Sequence, residues 1–247
     1  MYKKLVFNSA LIEFRANKKL FIFLTLAFIL ATIVGTLSHE LGHYTASKFL
    51  GYPASISYKS TRPDFSSDYD QITEIRKKYS NEIKEEMDYP DKKLYSALNR
   101  KLSNASYLIT LAGPVQTILT GTLGLLLLLL FRNRIFKNER VSFAGWCCIF
   151  MALFWLREPA NLCMALAYQL FNVPHSLNGD EFMLSTFLDL PLWSIAGILA
   201  LIGAMVIIWV LYILPKPFRF TFIIAAIVGG STGAVLWFMV LGKLLLP

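Results

Sequence analysis

Charge is scarce in this chain. Only 16% of its 247 residues are Asp, Glu, Lys or Arg, where soluble domains carry roughly a quarter. Cysteine is scarce too: Cys147, Cys148 and Cys163 are the only three, and all lie in one apolar stretch. Adjacent Cys147 and Cys148 form a poor disulfide pair, and no two cysteines have zinc-knuckle spacing. A disulfide framework and a cysteine-based zinc module are thereby excluded, and all three read as packing residues. Histidine occurs three times, as His39, His43 and His175. The net charge is +8, but no nucleic-acid-binding module accompanies it. Basic loops that orient a membrane protein and meet anionic headgroups account for the excess, so nucleic acid is not an expected partner.

What the chain does have is apolar sequence in long runs, with 55% hydrophobic residues and a mean hydropathy of +0.52. The stretch 125–131 is six leucines and a phenylalanine. Runs of roughly 18 or more apolar residues are candidates to cross a bilayer. Such runs are expected at 20–50, 107–131, 192–214 and 220–241. A further one, 141–171, is too long for one straight span, at about 46 Å of helix, and Pro159 is expected to kink or split it.

The expected fold class is therefore an all-α membrane protein. It would be a polytopic bundle of about five to six transmembrane helices with one short, strand-containing, mostly helical extramembrane loop. Residues 1–19 form a basic amphipathic lead-in, and the apolar run behind it is retained rather than cleaved as a signal peptide. Residues 20–190 form the membrane core, with an extramembrane insertion at 51–105. Residues 191–247 supply two C-terminal transmembrane helices. Within the insertion, 54–58 alternates like a strand and offers a sheet edge to an extended peptide, while 69–103 reads as charged, solvated helix. Lys and Arg in the short loops favour a cytoplasmic N-terminus and a multi-pass membrane location.

The sharpest signal is His39-Glu40-Leu41-Gly42-His43. On a helix, positions four apart share a face one turn apart. Two imidazole nitrogens can then reach one zinc ion at roughly 2.0–2.1 Å, with Glu40 beside the open position as general base for an activated water. Three ionisable groups in one membrane helix are expensive without a purpose. A third ligand is needed. The segment 172–181 offers His175, Asp180 and Glu181, and in the expected topology it emerges on the same side as the histidine pair. Gly113 and Pro114, with Thr117 and Gly121 at four-residue spacing, are candidates either for a helix-packing face or for lining a substrate path. Arg157 and Glu158 read as structural charges pairing near Pro159 and Asn161. Gly229–Gly233 lacks the strand and lysine of a phosphate loop and reads as a kink or a close helix contact.

These residues together resemble the site-2 protease family of intramembrane zinc metalloproteases. The motif Ser38–Tyr44 ends the first long apolar helix, Gly113-Pro114 follows in the next span, and Asn172 and Asp180 stand eight positions apart, as in the family's Asn-to-Asp segment. The resemblance implies one Zn2+ per chain held by His39, His43 and Asp180, with Asn172 lining the substrate. It implies an enzyme, a zinc metalloendopeptidase acting on a membrane protein or membrane-proximal peptide. Pro174, Gly179, Glu181 and Thr117 depart from the family pattern. The family carries its zinc nearer the cytosol, whereas the charge distribution places this motif nearer the opposite face. The alternative function is a zinc-binding membrane protein without proteolysis, acting as scaffold, sensor or transporter.

Overall fold

The computed structural model describes residues 17–137, 140–171 and 177–247. Five helices are long and apolar enough to cross a membrane: Lys18–Phe49, Lys92–Ile135, Phe143–Leu170, Ser194–Ile213 and Lys216–Leu245. Their outward faces carry bare leucines and isoleucines, with Leu30, Leu119, Leu130 and Ile208 each more than 60% exposed. Apolar surface on that scale is compatible with a multi-pass membrane protein.

Helix α1 (Lys18–Phe49) starts where the Asn17 side chain accepts from the Leu20 amide, satisfying an orphan N–H of the first turn. Its run of Leu, Ile, Phe and Ala hides only a narrow stripe, which ends in Thr36, His39, Glu40, His43 and Ser47. That spacing of three and four residues is one helical face. A two-stranded antiparallel ribbon follows, β1 (Ala54–Ile56) with β2 (Thr61–Pro63), registered Ser55 opposite Arg62. The short helices α2 (Ser66–Lys78) and α3 (Ser80–Lys84) complete the polar insertion. Ile72 and Ile75 of α2 pack on Leu98, while Tyr52 donates to Asp68 at 2.7 Å and Lys101 lies 3.0 Å from the same carboxylate.

The expected charged helix at 69–103 and the second span are not separate units. From Lys92 onward they form one 44-residue helix, α4 (Lys92–Ile135). The polar-to-apolar change along it carries no break, because no helix-terminating residue falls between Leu94 and Tyr107. Pro114 does not interrupt α4 either; the non-helical backbone angles in it belong to Phe131, near its end. A small ribbon, β3 (Phe136–Lys137) with β4 (Arg140–Val141), turns the chain into α5 (Phe143–Ala152).

The long apolar stretch does split, at a 3₁₀ turn over Leu153–Leu156 just ahead of Pro159, and resumes as α6 (Arg157–Leu170). Pro159 sits in the first turn of α6, where its missing N–H costs little. Cys147 and Cys163 face outward rather than packing inside, and Cys148 is half-buried. Helix α7 (Asp180–Phe187) leads to α8 (Ser194–Ile213) and α9 (Lys216–Val235), which continues through a π-helical turn, Leu236–Leu241, into α10 (Gly242–Leu245).

The last two long helices brace the rest. Gly229 and Gly233 of α9 lie directly on α1, where a Cβ would come within 2.7 Å of Phe28 Cβ and 3.0 Å of Ile29 Cα. The glycine cluster is thus a close helix contact. Arg219, expected among the basic loop residues, is buried and donates to the carbonyls of Leu214 and Tyr212 at the end of α8. At the other end of the molecule, Trp237 Nε1 donates to the Tyr58 carbonyl at 2.8 Å, and the Tyr58 amide donates to Leu246 at 3.0 Å. The C-terminal helix thereby holds the turn of the β1–β2 ribbon.

Candidate metal centre

Helices α1 and α4 come close together at the His-Glu-Leu-Gly-His motif, and glycines allow it. A Cβ at Gly42 would stand 2.7 Å from the Ala112 carbonyl oxygen. A Cβ at Gly113 would overlap the imidazole of His43 and stand 2.6 Å from Nε2 of His39. Both rings therefore stand close against Gly113 of α4, 4.8 Å apart between centroids and nearly perpendicular to each other at 82°.

Each ring is fixed from behind. His43 Nδ1 lies 2.6 Å from the carbonyl oxygen of Ile109. A carbonyl can only accept, so Nδ1 carries the proton and Nε2 presents a lone pair. His39 Nδ1 meets the Thr117 hydroxyl at 2.9 Å. The two Nε2 atoms then face each other at 3.1 Å. Asp180 Oδ2 closes the triangle, 2.8 Å from His39 Nε2 and 3.2 Å from His43 Nε2. Asp180 is the first residue of α7, with Gly179 in extended conformation before it. Burial favours its neutral form, but the adjoining imidazoles of His39 and His43 outweigh that and hold its carboxyl below the usual range.

Two imidazole nitrogens and a carboxylate oxygen at these separations fit a divalent metal ion. Tetrahedral bonds of roughly 2.0–2.1 Å set ligand atoms about 3.3 Å apart. The donor set and the rearward hydrogen bonds to Thr117 and Ile109 have the form of a metal site with oriented ligands. Among the described residues this is the group of three ligating side chains close enough to share one ion.

A cavity of about 550 Å³ opens beside the triad. Glu40 and His43 of α1 contribute to its walls, with Ser60, Thr61 and Pro63 of the ribbon, Ile109 and Thr110 of α4, Arg157, Asn161 and Tyr168 of α6, and Asp180 and Glu181 of α7. Glu40 is only 6% exposed, and its backbone carbonyl accepts from the Thr61 hydroxyl at 2.8 Å, which ties the ribbon to the motif. Of the two edges of the ribbon, that of β2 lines the cavity. The pairs Ser57–Ser60 and Pro53–Asp64 are the hydrogen-bonded ones, so by alternation the N–H and C=O of Thr61 point away from β1.

Gly113, Pro114 and Thr117 stand behind the imidazoles and are not among the residues lining this cavity. Thr117 positions His39, and Gly113 makes room for both rings. Pro114 has no N–H, so the Thr110 carbonyl loses its intrahelical donor on the cavity side. Glu181 does not join the triad; it accepts from Asn161 Nδ2 at 3.2 Å. Asn161 thus serves Glu181 and not Arg157 or Glu158. His175 and Asn172 lie outside the described residues. Gly42, Ile109 and the cavity-facing position of Arg157 were not foreseen from the sequence. Of these, Gly42 carried a signal, being a glycine between the two histidines of the motif.

No family model, curated protein or solved structure matches the chain.

Proposed function

We propose that the protein is a membrane-embedded zinc peptidase of the site-2 protease type. The observation that supports this reading best is the convergence of His39 Nε2, His43 Nε2 and Asp180 Oδ2 within 3.2 Å of one another, at the wall of a cavity that Glu40 also lines. Zinc held by these three would supply Lewis acidity, acidifying a coordinated water and polarising a peptide carbonyl.

The chain's own groups do the rest. Thr117 and Ile109 hold the imidazoles so that both Nε2 atoms aim at one point. Glu40 takes the proton of the attacking water and returns it to the departing amine. The outer edge of β2 offers the Thr61 N–H and C=O to a peptide lying as an added strand, which gives sequence-tolerant alignment through backbone bonds. Substrates are then unwound segments of membrane proteins or membrane-proximal peptides, and the N-terminus faces the cytoplasm.

The test is Glu40→Gln in the purified full chain, assayed with casein-derived fluorogenic peptides. Zinc stoichiometry should equal that of the wild type while hydrolysis disappears. Hydrolysis undiminished in Glu40→Gln rules out the general-base role. Zinc retained by a wild type that cleaves nothing favours a non-proteolytic zinc protein.

A further inference from the structure

Arg157 stands at the first position of α6, immediately after the 3₁₀ turn, and lines the cavity together with Glu40, His43 and Asp180. Its Nε is buried without a hydrogen-bond partner, and among the described residues no carboxylate comes within ion-pair distance of it. A guanidinium is always charged; Arg157 is half-buried, and the part of it shut off from water is left without a counter-ion. Glu158, next along the helix, is not its partner. Neighbours on a helix do not face each other, and Glu158, 2% exposed, makes no ion pair or hydrogen bond with it. The position is rigid as well: Gly203 of α8 lies against this turn, so that a Cβ there would stand 2.5 Å from the Trp155 carbonyl and 2.8 Å from Pro159.

A fixed cation beside a metal centre opposes metal binding. The arrangement is balanced once an anion sits between them. We infer that Arg157 forms a carboxylate subsite of the cavity, taking the terminal or side-chain carboxylate of the bound peptide through a two-pronged guanidinium contact. This rests on the peptidase reading for the ligand's being a peptide. Three acids also line the cavity, Glu40, Asp180 and Glu181, and none of them lies within ion-pair distance of Arg157. Asp180 is engaged by two imidazoles, Glu181 by Asn161, and Lys59 adds a second cation to the wall. The peptidase would on this account prefer substrates carrying an acid near the scissile bond or at a free C-terminus.

The experiment uses the zinc-loaded full chain in detergent, in a Glu40→Gln background that prevents turnover. Binding is measured calorimetrically for three probes: an acetylated Leu-Ala-Phe peptide with a free C-terminus, its amide, and an amide with Glu replacing Ala. The acid-bearing probes should bind at least tenfold more tightly than the plain amide. Arg157→Gln should reduce that preference below twofold, and Arg157→Lys should keep part of it. Whichever acid is preferred shows whether the terminal or the side-chain carboxylate is read. Equal binding of all three probes, or a preference that survives Arg157→Gln, overturns the subsite. Zinc content of the same samples separates the two readings. Bound zinc without an acid preference sinks the subsite alone. Absent zinc sinks the peptidase reading, while an acid preference that needs Arg157 still upholds the subsite.

Discussion

His43 Nδ1 donates to the carbonyl oxygen of Ile109 at 2.6 Å, so a side chain of one helix is oriented by the backbone of another. That bond fixes the tautomer of His43 and aims its Nε2 at His39 and Asp180. No substitution of residue 109 removes a carbonyl, but the equivalent support of His39 comes from a side chain and can be removed.

Thr117→Val deletes the hydroxyl 2.9 Å from His39 Nδ1 and preserves shape. Loss of a group that orients a metal-bound histidine costs about 10- to 100-fold in metal affinity. Competition against a chromophoric chelator should report a fall in zinc affinity of that size, with the helical content of the protein unchanged. Equal affinity in Thr117→Val and wild type would mean that the hydroxyl does not hold the ring.

Gly113→Ala places a methyl group in the space occupied by both imidazoles. The rings must turn away or α1 must lift from α4, and either movement separates the ligand atoms. Zinc binding should be lost. Gly42→Ala, at the same helix crossing but away from the rings, presses on the Ala112 carbonyl and should cost about 1–3 kcal/mol of stability, the usual range for overpacking. Thermal unfolding with and without zinc distinguishes the two: the first variant should lose its response to added zinc, the second should keep it at a lower midpoint.

Trp237→Phe removes the donor that holds the Tyr58 carbonyl at 2.8 Å. A hydrogen bond of this kind contributes about 1 kcal/mol, and the ribbon it restrains lines the cavity. Hydrogen exchange at residues 54–63 should accelerate several-fold while zinc stoichiometry stays at the wild-type value. Unchanged exchange would show that the Tyr58 and Leu246 backbone contact suffices to hold the turn.

Much of the bundle was legible because apolar runs of bilayer length and a helical i, i+4 histidine pair are local signals. The five apolar helices and the pairing of His39 with His43 follow from spacing alone. Asp180 was legible from the expected topology as one of three candidates, with His175 and Glu181, and was singled out by its separation from Asn172 in the family resemblance, since sequence spacing cannot bring residues 43 and 180 together. The continuity of α4 was hidden by the change from polar to apolar composition at Tyr107, which looks like a boundary but breaks no backbone bond. Thr117 read as a lining residue because a threonine on a small-residue stripe fits either a cavity or a helix contact. Its true neighbour, His39, is set by how α1 crosses α4. Arg157 read as a structural charge for the same reason. The structure places it on the cavity wall, after a 3₁₀ turn that lies against Gly203.

Metal content of the purified chain tests the central claim most directly. Wild-type protein, exchanged free of loosely held ions, should carry one zinc per chain, and His39→Ala, His43→Ala and Asp180→Ala should each lose most of it, whereas Glu181→Ala should not. Zinc absent from the folded wild type, or retained undiminished when Asp180 is removed, would contradict the account.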